Sequence, residues 1–560
     1  MPTGDILFPV SDSQGNITKA VFSLTVTEGG GVDQTVSGDQ PAGFTVPAGQ
    51  TWEILGLVTT PANVIVQGTL RMRPGATLRF RNVSEAGFVG GDTATPLASD
   101  VGLWMIDQGK LDAQGTPKTP WTRLTGAVSA GATQLQVVNA AGWQVGDDIV
   151  VTATVPRSVP AFWTRDDRRT ITAINGNTVT VAALSNAHPT TTFSGETFTA
   201  EVLNLTRDVR IQGTAGGRAH VIYLHQGHTT FAQLSVRYVE LSLLAPVKNG
   251  AGVAGRYALH FHHSHGTTED VVVEGVVAKE CGTHCFVAHQ ANGVYFDRCV
   301  SHNTSETPFW WDPEEISDRV VYDRCVASRI ETFTGPERFS TSGFFLNRTS
   351  VPLTSRCVGC VATGIEASAN PNGFFWNNAS VGVWTFEDCL SHNIGGNEAA
   401  GIRVWQNSNE QMHPLDRFRA YACAFAGVDH GAYSNSYRYH DLKLHDCATG
   451  VLQKAVSHEG GQQWHDVFIT GCPTTLEIGD APVSSITPID FRRSPFGTVR
   501  VNATHAGPER VWWDFTGCDL EPADFNVVSL TGECRLRTQD STGQWWQLTD
   551  TSPWTQIPAP

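Results

Sequence analysis

Residues 44–80 alternate apolar and polar positions on a two-residue period, FTVPAGQTWEILGLVTTPANVIVQGTLRMRPGATLRF, broken by Gly- and Pro-containing turns. A period of two puts successive side chains on opposite sides of a strand, so this stretch predicts short strands joined by tight turns. Similar runs recur in AVFSLTVT before it and in VGLWMIDQGKLDAQG and EVLNLTRDVRIQG after it. No long run carries the 3.6-residue apolar period of a helix. In the second half a phrase returns: FDRCVSHN (296–303), YDRCVASR (322–329) and FEDCLSHN (386–393). Cys299, Cys325, Cys357, Cys389, Cys423, Cys447 and Cys472 follow one another at intervals of 24 to 34 residues. A repeat of that length marks a solenoid, and the strand-like segments between the cysteines make it a β-solenoid. Each unit reads as an aromatic strand, a polar corner, a second strand ending at Cys, then a turn. Coils stack at the strand spacing of about 4.8 Å, so a residue placed once per coil stacks on itself. The cysteines are expected as an interior ladder of reduced, close-packed thiols.

The expected fold class is all-β: a parallel β-helix with a small inserted β domain and a C-terminal β cap. Residues 1–40 form a lead-in or attachment segment and 41–120 the first coils. Residues 121–200 change character and read as a separate small β unit with an INGNT hairpin. Residues 201–495 form the main β-helix with the cysteine ladder. Residues 496–560, carrying Trp512, Trp513, Trp545, Trp546 and Trp554, form a cap or association region. Composition fits: 55 Gly, 40% hydrophobic and only 16% charged residues in a 560-residue chain. The net charge of −16 argues against a nucleic-acid binder. No apolar run is long enough for a membrane span. The start, MPTGDILFPVSDSQGN, lacks the basic and apolar regions of a secretory signal peptide. Twelve cysteines in so long a chain do not make a disulfide scaffold.

Candidate chemistry gathers around residues 256–315. Polar residues follow the aromatic strands once per unit: His289, Asp312, Asn347, Asn377 and Gln406, beside Trp310, Trp311, Trp376 and Trp405. One reading is a sugar-binding groove, with rings stacking on pyranoses and amides bonding hydroxyls. The other is a stabilising Asn ladder. HFHHSHG places His260 and His262 on one side of a strand, with four histidines in residues 260–265. They read as a hydrogen-bonded pair in a polar cleft or as ligands of a divalent metal. No other cofactor is expected. Glycoside hydrolysis needs two carboxyl groups, and DPEE supplies Asp312 and Glu314 as the better pair. A lyase would instead use His262 or His289 as base and Arg256 to neutralise a uronate.

The order VQGTLRMRPGATLRF, GLWMIDQGKLDAQG, AGWQVGDDIVVTA, EVLNLTRDVRIQG, GRYALHFHHSHG resembles the G8-domain proteins, among them the cell-migration-inducing, hyaluronan-binding proteins and their transmembrane relatives. The resemblance covers roughly residues 40–330 and implies a right-handed β-helix with an inserted β domain. It also implies hyaluronan or another polysaccharide as substrate; on the candidate residues, hydrolysis is expected ahead of a lyase reaction. Ala258 stands where that family carries Pro, and FWWDPEE departs from its acidic motif. A start at Met with no export signal fits a phage tail protein. A virion or otherwise extracellular setting, a host-surface glycan, other tail proteins and a homotrimer are the expected context. A structural or receptor-binding fibre without catalysis is the alternative.

Overall fold

The computed structural model describes residues 5–11, 17–23, 31–224, 235–247, 254–263, 271–310, 316–331, 341–346, 349–350, 354–367, 370–377, 383–406, 412–433, 437–453, 462–479, 488–504, 512–532 and 534–560. The chain winds as a parallel β-helix of three faces. One coil shows the pattern: Val294–Asp297 on the first face, Val300–Thr304 on the second, Phe309–Trp310 on the third. Each strand pairs in parallel with its equivalent in the next coil, as Val294–Asp297 does with Val321–Asp323. Among the described residues there is no α-helix, and none long and apolar enough to cross a membrane.

Stacking in register fills the interior with like on like. On the third face Phe286, Phe309, Phe344 and Phe374 are successive neighbours. Their rings stack at 4.9, 4.5 and 5.0 Å, close to the coil spacing. The first face carries Phe296, Tyr322, Cys357, Phe386 and Leu415 in one column.

The repeated phrase is the corner between the first and second faces. The residue before the corner cysteine has a left-handed backbone: Arg298 (φ 49°), Arg324 (49°), Gly359 (63°) and Asp388 (55°). This single left-handed residue bends the chain sharply between two extended segments, at a cost of roughly 1–2 kcal/mol where it is not glycine. Acidic and basic residues at the corner compensate outside the coil, as in Arg298 with Asp297 (2.8 Å) and Arg417 with Asp388 (2.7 Å). The next side chain turns inward where little room remains, which suits Cys299, Cys325, Cys360 and Cys389. The expected single ladder is therefore corrected. Cys357 belongs to the aromatic column of the first face, and Cys423 lies beside Ile394 on the second. Phe418 follows Cys389 at the corner. None of the twelve cysteines forms a disulfide.

Between Lys110–Gln114 and Val209–Gln212 the chain leaves the solenoid at this same corner. Residues 121–204 form a six-stranded antiparallel sheet with its own core around Leu135, Ile149, Val179 and Val202. This unit lies on the second face. There Val277, Val300, Val326, Val361 and Leu390 stand in one outward column. The column packs against Val155, Phe162, Phe193, Phe198 and Leu203 of the inserted unit. Polar ties frame that seam: Trp121 Nε1–H to Arg324 O (2.8 Å), Trp163 Nε1–H to Glu366 (2.7 Å), and Arg419 bidentate on Glu196 (2.7 Å each). The SHN that ends the phrase serves the same seam. His392 bonds Glu201 (3.0 Å), and Asn393 donates to Val155 O and Phe162 O (both 3.0 Å). Parallel pairing continues to Arg535–Gln539, after which Trp545–Thr549 and Thr555–Ile557 run antiparallel along the end of the sheet.

Glu201 is fully buried, and burial alone would raise its pKa; attraction to His392 and Arg123 and the His392 hydrogen bond instead lower it to about 2. A carboxyl whose folded pKa lies below its ordinary value stabilises the fold above that ordinary value and loses this as pH falls toward the folded one. Urea unfolding midpoints should therefore show Glu201→Gln well below wild type at neutral pH, with the gap closing as pH falls from about 4.5 toward 2. A gap independent of pH would place the stabilisation elsewhere.

Candidate functional site

The outer side of the third face carries the histidines. Strand Leu259–His262 turns Leu259 and Phe261 inward, where Phe261 stacks on Tyr223 (4.8 Å). His260 and His262 therefore point outward. Strand Phe286–His289 is the next coil, and register sets His289 directly beside His262. The three imidazoles meet at right angles or in parallel: His260–His262 5.0 Å, His262–His289 4.8 Å and His260–His289 5.7 Å between ring centres. Although outward-facing, His260 and His262 are buried.

Hydrogen bonds fix the tautomers. His260 Nδ1–H donates to Gly255 O (2.8 Å), which leaves Nε2 with its lone pair exposed to the cluster. His262 Nε2–H donates to the Asp92 carboxylate (2.8 Å), so its Nδ1 carries the lone pair, 3.1 Å from His289 Nδ1. Burial, then the neighbouring His262 and His289, pushes His260 far below the ordinary histidine value. Burial and His263 lower His262 to about 4 against the pull of Asp92. Burial works against the Asp92 charge, but the His262 hydrogen bond and the His263 field hold its pKa below the usual carboxylate range. His260 and His262 are thus neutral imidazoles, the second aimed by an ionised carboxylate.

Asp92 comes from the first coils and is held in place from below. Asp100 accepts from the Val89 and Gly90 backbone N–H (2.8 and 2.9 Å) and from Ser99 (2.7 Å), folding residues 89–100 around its carboxylate. Arg256 Nε donates to the same carboxylate at 2.6 Å, and both side chains are fully buried. The Arg256 guanidinium lies 5.0 Å from the Trp104 ring centre. Gly91 N–H donates to Ala254 O (2.8 Å), closing the segment onto the strand that carries the histidines. Arg256 is therefore a positioning residue, not the substrate contact that the sequence suggests, because no part of it reaches the surface.

Of the expected catalytic residues, His260, His262 and His289 come together. Asp312 and Glu314 lie outside the described residues, as do Trp311 and Asn347. Asn377 and Gln406 are register neighbours on the third face, and Trp405 lies on the same strand as Gln406; their side chains are outside the description. Two expected sugar platforms are corrected. Trp310 is buried with one face stacked on His284 (4.2 Å) and Phe345 against it (4.7 Å). Trp376 points into the solenoid among Phe386, His413 and Tyr437. Neither offers an open ring face. Residues that sequence reasoning passed over are Asp92, Asp100 and Glu306, the last paired with buried His284 (3.1 Å) beneath Trp310. Asp92 and Asp100 sit in a turn-like GGDTATPLASD stretch far from the histidines, with no local pattern to mark them. A separate shallow concavity on the first face, lined by Tyr295, Arg319, Asp323 and Arg356, lies away from the histidines; Tyr295 there donates to Asp323 (2.5 Å).

No family model matches the chain. By sequence it is similar to G8 domain-containing proteins. One from Dictyostelium discoideum is 23% identical over 333 residues, 57% of this chain and 27% of that protein. Another from the same organism is 24% identical over 254 residues, 43% of this chain and 17% of that protein. Fibrocystin-L of Mus musculus is 34% identical over 118 residues, 20% of this chain and 3% of that protein. The chain spans about a quarter or less of the length of these relatives. Among solved structures, the tailspike protein gp49 of Pseudomonas phage LKA1 is 12% identical with a TM-score of 0.25, covering 89% of this chain and 75% of that one. The catalytic domain of a GH87 alpha-1,3-glucanase in complex with tetrasaccharides is 9% identical with a TM-score of 0.33, covering 75% and 100%. The fold stands on the chain's own strand register.

Arg256→Ala should lower stability by roughly 3–5 kcal/mol, the cost of leaving a buried carboxylate without its cation. Denaturant unfolding checks this. A loss under about 1 kcal/mol, typical of an exposed pair, would contradict the buried role assigned to Arg256.

Proposed function

We propose that the chain is a carbohydrate-directed β-helix protein that binds a surface or extracellular polysaccharide along the outer side of its third face and cleaves it beside His260, His262 and His289. The observation that carries this reading is His262: a neutral imidazole whose Nε2–H is held by Asp92 and whose Nδ1 lone pair faces the cluster. A carboxylate that orients an imidazole makes it a directed proton acceptor, the arrangement that activates water or a hydroxyl in hydrolytic sites. The solenoid supports a polymeric substrate, since a face that repeats its side-chain slot once per coil matches a chain that repeats its ring once per residue.

Hydrolysis is the first form of this proposal. Asp312 and Glu314 follow Trp310 in sequence and are the carboxyl pair proposed for glycoside hydrolysis. The G8-domain resemblance directs the first choice of substrate to hyaluronan. A glycan-directed β-helix works where surface glycans are, on a phage tail or otherwise outside the cell.

The test is to incubate the chain with a panel of polysaccharides, hyaluronan included, and to read new reducing ends together with the ultraviolet absorbance of unsaturated uronates. Reducing ends without absorbance, reduced about a hundredfold or more in both Asp312→Asn and His262→Gln, are expected for the hydrolase. Absorbance that His262→Gln abolishes and Asp312→Asn spares would replace it with a lyase. Retained binding with no product across the panel would leave a glycan-binding fibre and overturn cleavage.

A further inference from the structure

Three ring nitrogens converge on the outer third face. One ligand atom from each of His260, His262 and His289 lies within 4.8 Å of the other two. His260 Nε2 is the informative one. It is buried, it has no hydrogen-bond partner among the described residues, and the Gly255 carbonyl bonded to Nδ1 forces the lone pair onto it. Burying a polar nitrogen without a partner costs roughly 1–3 kcal/mol, and a structure that holds one in place usually has a use for it. His262 repeats the logic with a carboxylate: Asp92 takes Nε2–H, so the lone pair falls on Nδ1, which faces His289 Nδ1. A histidine that gives one N–H to a carbonyl or carboxylate while the other nitrogen faces inward is the outer-shell pattern of metal-bound imidazole. His289 Nδ1–H donates to that lone pair at 3.1 Å, and with the His289 proton moved to its Nε2 the same separation suits two nitrogens on one ion. Two nitrogens at about 2.0–2.1 Å from one tetrahedral ion stand roughly 3.3 Å apart.

From this geometry we infer that His260 Nε2, His262 Nδ1 and His289 Nδ1 bind one divalent transition-metal ion, with Asp92 as the carboxylate that orients His262. Three imidazoles favour zinc, cobalt, nickel or copper over the oxygen-seeking calcium and magnesium. Three protein ligands also leave a coordination position open, as in catalytic rather than structural sites. Neutral imidazoles are the binding form. Of the two other close groups of ligand-type atoms among the described residues, Asp92, His262 and His263 shares His262 with this site, and Cys357, Cys360 and Cys389 is different in kind. Those thiols lie in the interior and are engaged with backbone carbonyls, as Cys360 with Tyr322 O (3.3 Å) and Cys389 with Cys357 O (3.5 Å). The metal inference stands on ligand geometry; with an ion bound, the His262 Nδ1 lone pair is a ligand and no longer the proton acceptor of the proposed cleavage.

The experiment uses the full chain without a histidine tag, stripped with a chelator, and titrated with Zn2+, Co2+, Ca2+ and Mg2+ by calorimetry, with visible spectra for Co2+. One Zn2+ or Co2+ per chain is expected at micromolar affinity or tighter, with Co2+ giving visible bands and Ca2+ and Mg2+ giving no heat. His260→Ala should weaken Zn2+ binding about a hundredfold or more. Asp92→Asn keeps all three ligands and changes a side chain that is 64% exposed, so the fold survives it; affinity should fall about 10- to 100-fold. His440→Ala, at a half-exposed histidine elsewhere, should leave affinity unchanged. No binding by the wild-type chain would overturn the inference. So would binding that Asp92→Asn and His260→Ala both leave intact, which would place the ion on other surface groups.

Discussion

Everything in this molecule follows from the spacing at which one coil sits on the next. Parallel strands separated by about 4.8 Å place equivalent residues directly above one another, so each position in a coil becomes a column running the length of the solenoid. The phenylalanines of the third face satisfy this constraint by stacking ring on ring, and the corner cysteines satisfy it by being small. The same rule builds the candidate site. His262 and His289 are 27 residues apart in sequence yet adjacent in space, because they occupy the same slot of consecutive coils.

That regularity explains what the sequence disclosed. The repeat of FDRC, YDRC and FEDC is legible because the corner demands a left-handed residue followed by a small inward one, and both demands leave chemical traces. The alternation in LHFH disclosed two histidines on one side of a strand. Register was harder to read. Loops between coils vary in length, so Cys357 and Cys423 fell into the counted series although their columns are those of Tyr322 and Ile394. Aromatic density also misled. A tryptophan on an outward strand was expected at the surface, yet Trp310 is covered, and Trp376 occupies an inward slot.

The carboxylates around the histidines were not legible for a different reason. Asp92 and Asp100 reach the site from a segment more than 150 residues earlier, through contacts that no spacing rule predicts. Their role depends on Arg256, whose charge holds a turn of the first coils against the coil that bears the histidines. The site is thus a junction between early and later coils, and its chemistry is set as much by the buried Arg256–Asp100 pair as by the imidazoles themselves.

A plain solenoid is close to one-dimensional: each repeat knows only its neighbours, and its ends can fray one coil at a time. The inserted sheet changes that dimension. It touches Glu280 at one end and Asp446 at the other, so coils distant along the axis share one partner. Peeling a single coil in this span means breaking part of a seam that all the others hold. The braced span should therefore behave as one cooperative unit, with local opening confined to the coils beyond it. The imidazole cluster lies at the early margin of that braced span, on strands Leu259–His262 and Phe286–His289.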